Sequence, residues 1–172
     1  MLQITKKADY AVRLMVEVAA HSGGVIATAE IAERQDIPYQ FLRKVAQELA
    51  AKGLLISERG GHGGLTLGRA PEDVSVLDIL RALEAPPIND CAVDPDNCSR
   101  HETCAGFGVW FEAQAAIDRV LAGATLSKLV RAHRVLQTRN GGGESGQKAR
   151  DRDSIGLVFT GQMAHESEIG NG

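Results

Sequence analysis

Three cysteines in one short stretch are the residues of this chain best suited to chemistry. Cys91, Cys98 and Cys104 are its only cysteines, and their spacing is C-x6-C-x5-C. Prolines and acidic turn residues keep this stretch, residues 85–104, out of regular helix. A loop of this kind allows three thiolates to approach one centre, and soft thiolates select zinc or an iron–sulfur cluster. The stretch therefore predicts a cluster-binding loop.

Other uses of the three thiols stay open. An odd number of cysteines argues against a closed disulfide framework. The chain has no charged and then apolar leader, so we expect it in the cytosol, where thiols stay reduced. Zinc sites usually contain C-x2–4-C pairs and disulfide oxidoreductases a C-x-x-C motif, and neither occurs here. Three reduced surface thiols without a ligand are the remaining alternative.

The overall composition is that of an ordinary globular protein. Hydrophobic residues make up 44% of the chain and charged residues 24%. No apolar run is long enough to cross a bilayer, so we expect no membrane partner. The formal net charge of −3 does not indicate nucleic-acid binding. Any contact with DNA must therefore come from a local cluster of basic residues.

Residues 1–84 predict three helices followed by a β-hairpin. The first helix runs from Lys6 to about His21, and Thr28 is a suitable N-cap for a short second helix. Pro38 suits the first position of a third helix that ends at Gly53. Apolar residues spaced three or four apart mark the core-facing sides. They are Ala8, Ala11, Val12, Met15, Val16 and Ala19 in the first helix and Phe41, Leu42, Val45, Ala46, Leu49 and Ala50 in the third.

The hairpin has two apolar strands, residues 54–59 and 65–67, around the glycine-rich tip Gly60–Gly64. Three helices and a hairpin make a winged helix-turn-helix, whose third helix enters the major groove while the wing approaches the minor groove. The sequence thus predicts a mainly α fold with a small β-hairpin wing. A winged helix used only for protein contact is one alternative. A phosphate loop is another, but it lacks a following helix and a Lys-Ser/Thr signature.

The pattern beyond the wing predicts a helix from about Val76, the cysteine loop and then a long amphipathic helix to about Leu121. Because no other helix is of similar length, we expect this one to pair with its twin in a homodimer. An intrachain core helix is the alternative. A last turn over Leu126–His133 closes the dimerisation segment, residues 105–135. Residues 136–172, with many glycines and scattered charges, predict a flexible tail.

Several short motifs occur together along residues 1–135. They are Ile4-Thr5, Asp9-Tyr10-Ala11, Ile31-Ala32, the run Phe41-Leu42 through Gly53-Leu54-Leu55, Arg59-Gly60 with Gly63-Gly64-Leu65, Val76-Leu77-Asp78-Ile79, the three cysteines, and Thr125-Leu126-Ser127-Lys128-Leu129. The combination resembles the IscR/NsrR/RirA group of bacterial winged-helix transcription regulators.

The resemblance implies a function. The chain would be a homodimeric transcriptional regulator, expected to be a repressor, that binds a double-stranded DNA operator. It would sense nitric oxide, iron or redox state through an iron–sulfur cluster, with 4Fe–4S favoured and 2Fe–2S possible. The alternative is a regulator of the same fold without a cluster, which senses through free thiols or a partner protein.

The resemblance also implies a ligand set of three loop cysteines and one further residue. In the IscR type the fourth ligand is a histidine three residues after the last cysteine, and Phe107 stands there instead. In the NsrR type it is an aspartate of the first helix that reaches across from the other subunit, and Asp9 falls at the matching place. Asp9 could equally be a first-turn charge that the helix dipole favours. His101 in the loop is the rival ligand, typical of histidine-ligated 2Fe–2S centres.

Residues expected to contact DNA follow from the same resemblance. They are Tyr39, Gln40, Arg43 and Lys44 on the third helix, Arg59 and His62 in the wing, and Lys6, Lys7 and Thr28 as phosphate contacts. Arg43 and Lys44 could each pair with guanine in the major groove, with ordinary solvated charge as the alternative. The sequence contains no nucleophile–base pair, paired carboxylates or cofactor fingerprint, so we do not expect an enzyme.

Overall fold

The computed structural model describes residues 4–21, 24–58, 60 and 63–140. In this part of the chain it has the helices α1 (Lys6–Ala20), α2 (Thr28–Arg34), α3 (Tyr39–Ala51), α4 (Val76–Ala82), α5 (Phe107–Gly123) and α6 (Leu126–Asn140). The strands β1 (Leu55–Glu58) and β2 (Gly64–Leu67) form an antiparallel pair with Leu55 opposite Leu67. The predicted mainly α fold with a small hairpin wing is confirmed.

α1 lies at the centre of the core because it packs against α3, β2 and α4. It begins at Lys6, where the Thr5 hydroxyl accepts a hydrogen bond from the Ala8 N–H at 3.2 Å. Leu14 and Met15 are fully buried on its inner face. The core residues of the three N-terminal helices are Ala8, Ala11, Leu14, Met15, Val18, Ile31, Ala32, Leu42, Val45, Ala46 and Leu49.

Three details of the predicted helices are wrong. Thr28 is the first residue of α2 rather than its N-cap, because the extended backbone ends one residue earlier, at Ala27. Pro38 is the N-cap of α3 and not its first residue, since its ψ of 121° is extended. Phe41 is 39% exposed and lies at the edge of the core, where its ring meets Tyr10 at a centroid distance of 5.5 Å.

The wing is fixed to the segment that precedes α2. Leu65 donates its N–H to the Ile26 carbonyl at 2.8 Å, and Ile26 donates to the Leu65 carbonyl at 3.1 Å. Gly64 permits this approach, because a Cβ there would lie 2.3 Å from the Ile26 carbonyl oxygen. The hairpin is therefore held in place by backbone bonds as well as by the buried Leu65 side chain.

α4 begins with a reciprocal cap. The Ser75 hydroxyl accepts from the Asp78 N–H at 3.1 Å, while the Asp78 carboxylate accepts from the Ser75 N–H at 2.8 Å. The same segment holds the start of α6, because Leu126 donates its N–H to the Val74 carbonyl at 2.8 Å. Leu126 is fully buried. α4 and the first turn of α6 therefore belong to the core.

α6 extends beyond the predicted end at His133 and reaches Asn140. The sequence explains the length, because the first glycines after Leu126 are those at 141–143. The chain divides into two compact units, and the second begins at Ala132, inside α6. The remaining predicted tail, 141–172, lies outside the described residues, and so do Arg59 and His62. No helix among the described residues is long and apolar enough to cross a membrane.

The cap of α4 gives a pH-dependent prediction. Hydrogen bonds from Ser75 hold the pKa of Asp78 below its usual value. Its stabilising contribution is therefore complete above the unfolded pKa of about 3.9 and is lost as the pH falls through the lower folded pKa. We expect Asp78→Ala to lower the free energy of unfolding by about 1 kcal/mol at pH 7. Urea unfolding should show the difference between variant and wild type shrinking below pH 4.

The control is Glu72→Ala, which removes an exposed carboxylate from the preceding loop. It should change stability little at either pH. A difference between Asp78→Ala and wild type that stays the same at pH 7 and pH 3 would contradict the assignment of the cap.

Candidate nucleic-acid interface and cysteine loop

The solvent face of α3 carries the four predicted helix contacts. Tyr39 is 44% exposed, and Gln40, Arg43 and Lys44 are exposed too. In the part of the chain that the structure describes, neither Arg43 nor Lys44 makes an ion pair with a carboxylate. The first turn of α3 contains no acidic residue. Exposed cations beside an uncapped helix start suit phosphate and base edges.

A polar network fixes the turn between α2 and α3. The Gln35 side chain accepts from Arg13 Nε at 2.9 Å and donates to Glu17 Oε1 at 2.6 Å. Arg13 also donates to the Gln35 backbone carbonyl. The next residue, Asp36, has a positive φ of 51°, which a short polar side chain tolerates better than most. Contacts from α1 therefore fix the turn that precedes α3.

The sequence patterns missed this network. Glu17 lies only three residues after Leu14 on a helix that was read as apolar inside and polar outside, yet it is 6% exposed. A buried carboxylate requires partners, which here are Gln35 and, at 3.7 Å, Arg34. The signal available in the sequence was the spacing, because Glu17 follows Leu14 by three residues and so lies on the same side of the helix.

The predicted phosphate contacts have different surroundings. Lys6 is exposed at the start of α1, and Thr28 is half-buried at the start of α2. Lys7 lies 2.5 Å from a carboxylate oxygen of Glu48, so its ammonium joins α1 to α3. A phosphate contact by Lys7 would have to compete with this ion pair. Both predicted wing contacts fall outside the described residues.

The cysteine loop has no α-helix but is not irregular throughout. It contains three one-turn 3-10 helices, Asp90–Ala92, Pro95–Asn97 and His101–Thr103. All three cysteines are free thiols, with Cys104 exposed and the other two half-buried. Within the described residues, no three cysteine, histidine, aspartate or glutamate side chains are grouped closely enough to hold a metal ion.

The two candidates for a fourth ligand differ in their contacts. The Asp9 side chain is 56% exposed and lies 3.5 Å from Arg13 Nη1. The His101 ring places Nδ1 2.9 Å from the Cys98 carbonyl oxygen and packs 6.0 Å from the Phe107 ring centroid. If Nδ1 carries the proton in that contact, Nε2 keeps a lone pair for a ligand.

α5 is apolar but is not buried by the rest of the described chain. None of its 17 residues is buried. Its large apolar residues are exposed to different degrees: Val109 62%, Trp110 43%, Phe111 50% and Val120 64%. One side contacts α4 and the 3-10 turn Asp90–Ala92. Val109 and Val120 remain mostly exposed in the part of the chain that the structure describes.

Comparison with known proteins gives a consistent result. Residues 4–132 match the Rrf2 family, described as "Iron-dependent Transcriptional regulator". The HTH-type transcriptional regulator IscR of Sodalis glossinidius is 33% identical over 142 residues, which cover 78% of this chain and 82% of that protein. These similarities confirm the expected family group and the expectation that the chain is not an enzyme.

Solved structures agree with this match. CymR, the global cysteine regulator of B. subtilis, is similar with a TM-score of 0.63 and 28% identity, covering 77% of this chain and 98% of that one. IscR of T. potens is similar with a TM-score of 0.61 and 29% identity, covering 84% of this chain and 94% of that one.

The exposed cations of α3 lead to a prediction about the recognition of DNA sequence. We expect Arg43→Ala to weaken binding to a DNA duplex selected from a random library by roughly tenfold, the size of a lost bidentate base contact. Binding to a scrambled duplex should weaken much less, because that binding depends mainly on phosphate contacts. Fluorescence anisotropy at one fixed salt concentration measures both affinities.

Arg131→Ala, which removes an exposed arginine from α6, is the matched control and should leave both affinities unchanged. Equal losses on the selected and scrambled duplexes would assign Arg43 to phosphate contact only. No loss on either duplex would remove it from the interface.

Proposed function

Because the chain belongs to the Rrf2 family of transcriptional regulators, we propose that it is a dimeric repressor whose affinity for its operator depends on the state of the cysteine loop. The observation that carries DNA binding is the α3 face, where Arg43 and Lys44 are exposed next to an uncapped helix start. Members of this family are DNA-binding regulators. A repressor acts by occupying the operator, which requires only a DNA-binding face and a way to change it.

The exposed side of α5 supports the homodimer. A soluble monomer rarely leaves a helix of 17 residues without a single buried side chain, as this structure does in the residues it describes. Pairing two copies of α5 through one face would remove Val109 and Val120 from water, because these two residues lie about three helical turns apart and therefore on the same side. It would also set two α3 helices at a fixed separation, as two half-sites of an operator require.

The donor types of the loop suit an iron–sulfur cluster, but their positions do not form a site. Three free thiols in one segment are the ligands that such clusters take. The described residues nevertheless contain no group of three ligands around a common centre. Cluster binding by Cys91, Cys98 and Cys104 therefore requires the three 3-10 turns of the loop to change their arrangement.

The signal follows from the chemistry of the bound group. When bound, a cluster with one weakly held oxygen ligand supplies an iron that nitric oxide or oxygen can attack, and its assembly depends on iron supply. Asp9 is the ligand candidate on α1, which also carries Arg13 and the contacts to the turn before α3. We favour 4Fe–4S over 2Fe–2S. Binding to an operator would require the protein to be in the cytoplasm.

A second candidate function is supported by the same geometry. Three reduced thiols that are not gathered around a centre could respond directly to oxidation or to a partner protein, without any cluster. Cys104, the exposed thiol, would react first, because access favours modification.

The cluster proposal predicts a coloured protein after anaerobic purification. We expect about four irons and four acid-labile sulfides per chain for 4Fe–4S, or about two of each for 2Fe–2S. Cys91→Ser, Cys98→Ser and Cys104→Ser should each lose most of the iron and visible absorption. Ser99→Ala, inside the same loop, should keep both. A colourless wild-type protein without iron or sulfide would remove the cluster and leave the thiol mechanism.

The fourth ligand can be identified by comparing two variants. If Asp9 is the ligand, Asp9→Ala should shorten the lifetime of the visible absorption in air, while His101→Ala keeps the wild-type lifetime. The reverse result would assign the role to His101. Arg13→Ala removes the ion-pair partner of Asp9 but leaves the Asp9 carboxylate. This variant therefore distinguishes the loss of a cluster ligand from the loss of the Arg13–Asp9 contact. Unchanged lifetimes in both Asp9→Ala and His101→Ala would exclude both residues.

A further inference from the structure

A continuous set of polar contacts joins the start of the cysteine loop to α4 by way of α5. Gln114 accepts the Ile88 backbone N–H on Oε1 at 2.9 Å. Its Nε2 donates to Asp118 Oδ1 at 2.6 Å. Asp118 Oδ2 then accepts from Arg81 Nη2 at 3.2 Å. We call these residues, Ile88, Gln114, Asp118 and Arg81, the loop clamp.

The chemistry of the loop clamp requires an amide at position 114. A backbone N–H can only donate and an ionised carboxylate can only accept. Between Ile88 and Asp118, the central side chain must therefore present one acceptor and one donor, in that order. Glutamine satisfies both partners in a single orientation. Leucine satisfies neither, and glutamate satisfies Ile88 only.

Apolar packing around the loop clamp is incomplete. A crevice of about 450 Å³ lies between the start of α1, α4, the first part of the cysteine loop and α5. All four residues of the clamp line it, together with apolar residues such as Leu80. Side chains that face a gap lose dispersion contacts on that side. Hydrogen bonds through Gln114 are therefore important in holding the loop start against α5.

The far end of the loop clamp reaches the DNA-binding helices. Arg81 lies in the last turn of α4, and the neighbouring Ile79 is fully buried in the core that α1 and α3 share. The Arg81 side chain is 66% exposed and that of Asp118 31%, so the ion pair contributes little stability. The ion pair between Arg81 and Asp118 instead fixes the position of α5 along α4.

We propose that Gln114 is a positioning residue that couples the cysteine loop to the DNA-binding helices, through Asp118 and Arg81. This inference rests on the proposed function in one respect, since it assigns the loop the role of sensor. The clamp begins at Ile88, three residues before Cys91. A change in the loop would move Ile88 and would be passed to α4, and through the core to α1 and α3.

The test uses full-length, reduced and metal-free protein, so that it does not depend on a cluster. In Gln114→Leu, amide hydrogen exchange at Ile88 should accelerate roughly five- to tenfold, as expected for one lost hydrogen bond. The alkylation rate of half-buried Cys91 by iodoacetamide should rise relative to exposed Cys104, which serves as the internal reference. Native exchange at Ile88 in this variant would overturn the proposal.

Coupling is measured separately from loop order. For wild type, the dissociation constant for the selected duplex should differ between free and alkylated thiols. Gln114→Glu keeps the acceptor for Ile88 but sets a carboxylate against Asp118. Hydrogen exchange at Ile88 should therefore stay close to wild type, while the difference in dissociation constant between free and alkylated protein should become smaller. Arg81→Ala should reduce the difference in the same way. If both variants keep the wild-type difference in dissociation constant between free and alkylated thiols, Gln114 has only a local structural role.

Gln137→Leu is the matched control, because this exposed glutamine bonds within α6. It should leave exchange, alkylation and the affinity difference unchanged, and similar melting temperatures should verify that all variants fold. A wild-type affinity that ignores alkylation contradicts the sensor role of the loop. In that case, hydrogen exchange at Ile88 still tests whether the loop clamp holds the start of the loop.

Discussion

The burial of one face of α1 is the constraint on which the rest of this structure depends. Ala11, Leu14 and Met15 are fully buried, and the helix that carries them touches α3, β2 and α4. The helices α3 and α4 and the strand β2 are therefore packed on a common element. Close-packed cores shift between discrete arrangements rather than deforming smoothly. A displacement of α1 would then reach α3 and β2, which belong to the surfaces proposed to contact DNA.

Polar contacts fix the positions of the elements around this apolar core. Arg13 and Glu17 place Gln35, and with it the first turn of α3, while Lys7 joins α1 to the second half of α3 through Glu48. Exposed pairs of this kind contribute little net stability, whereas the buried carboxylate of Glu17 would be costly without its partners. The network therefore sets the position of α3 relative to α1 more than it sets stability. The exposed Arg43 and Lys44 give a protein with a formal net charge of −3 a locally cationic surface on α3.

The sequence determines different features to different degrees. Apolar spacing, Gly53 and the glycine-rich hairpin tip were sufficient to predict the helices, the wing and the long α5, because these signals are local. The ends of helices were less certain, as Thr28, Pro38 and the continuation of α6 to Asn140 illustrate. Side-chain contacts between different helices and loops could not be predicted from the sequence. Gln114 carries no local sequence signal, because its partners Ile88 and Asp118 depend on how the loop returns to α5.

The central claim is that a change in the cysteine loop is passed to α4, and through the core to α1 and α3. Amide hydrogen exchange along α1 and α3, measured in the full-length protein with the three thiols free and after alkylation, tests it most directly. The account predicts altered exchange in the first turns of both helices as well as in the loop. Changes confined to residues 85–106, with α1 and α3 exchanging as before, would contradict it.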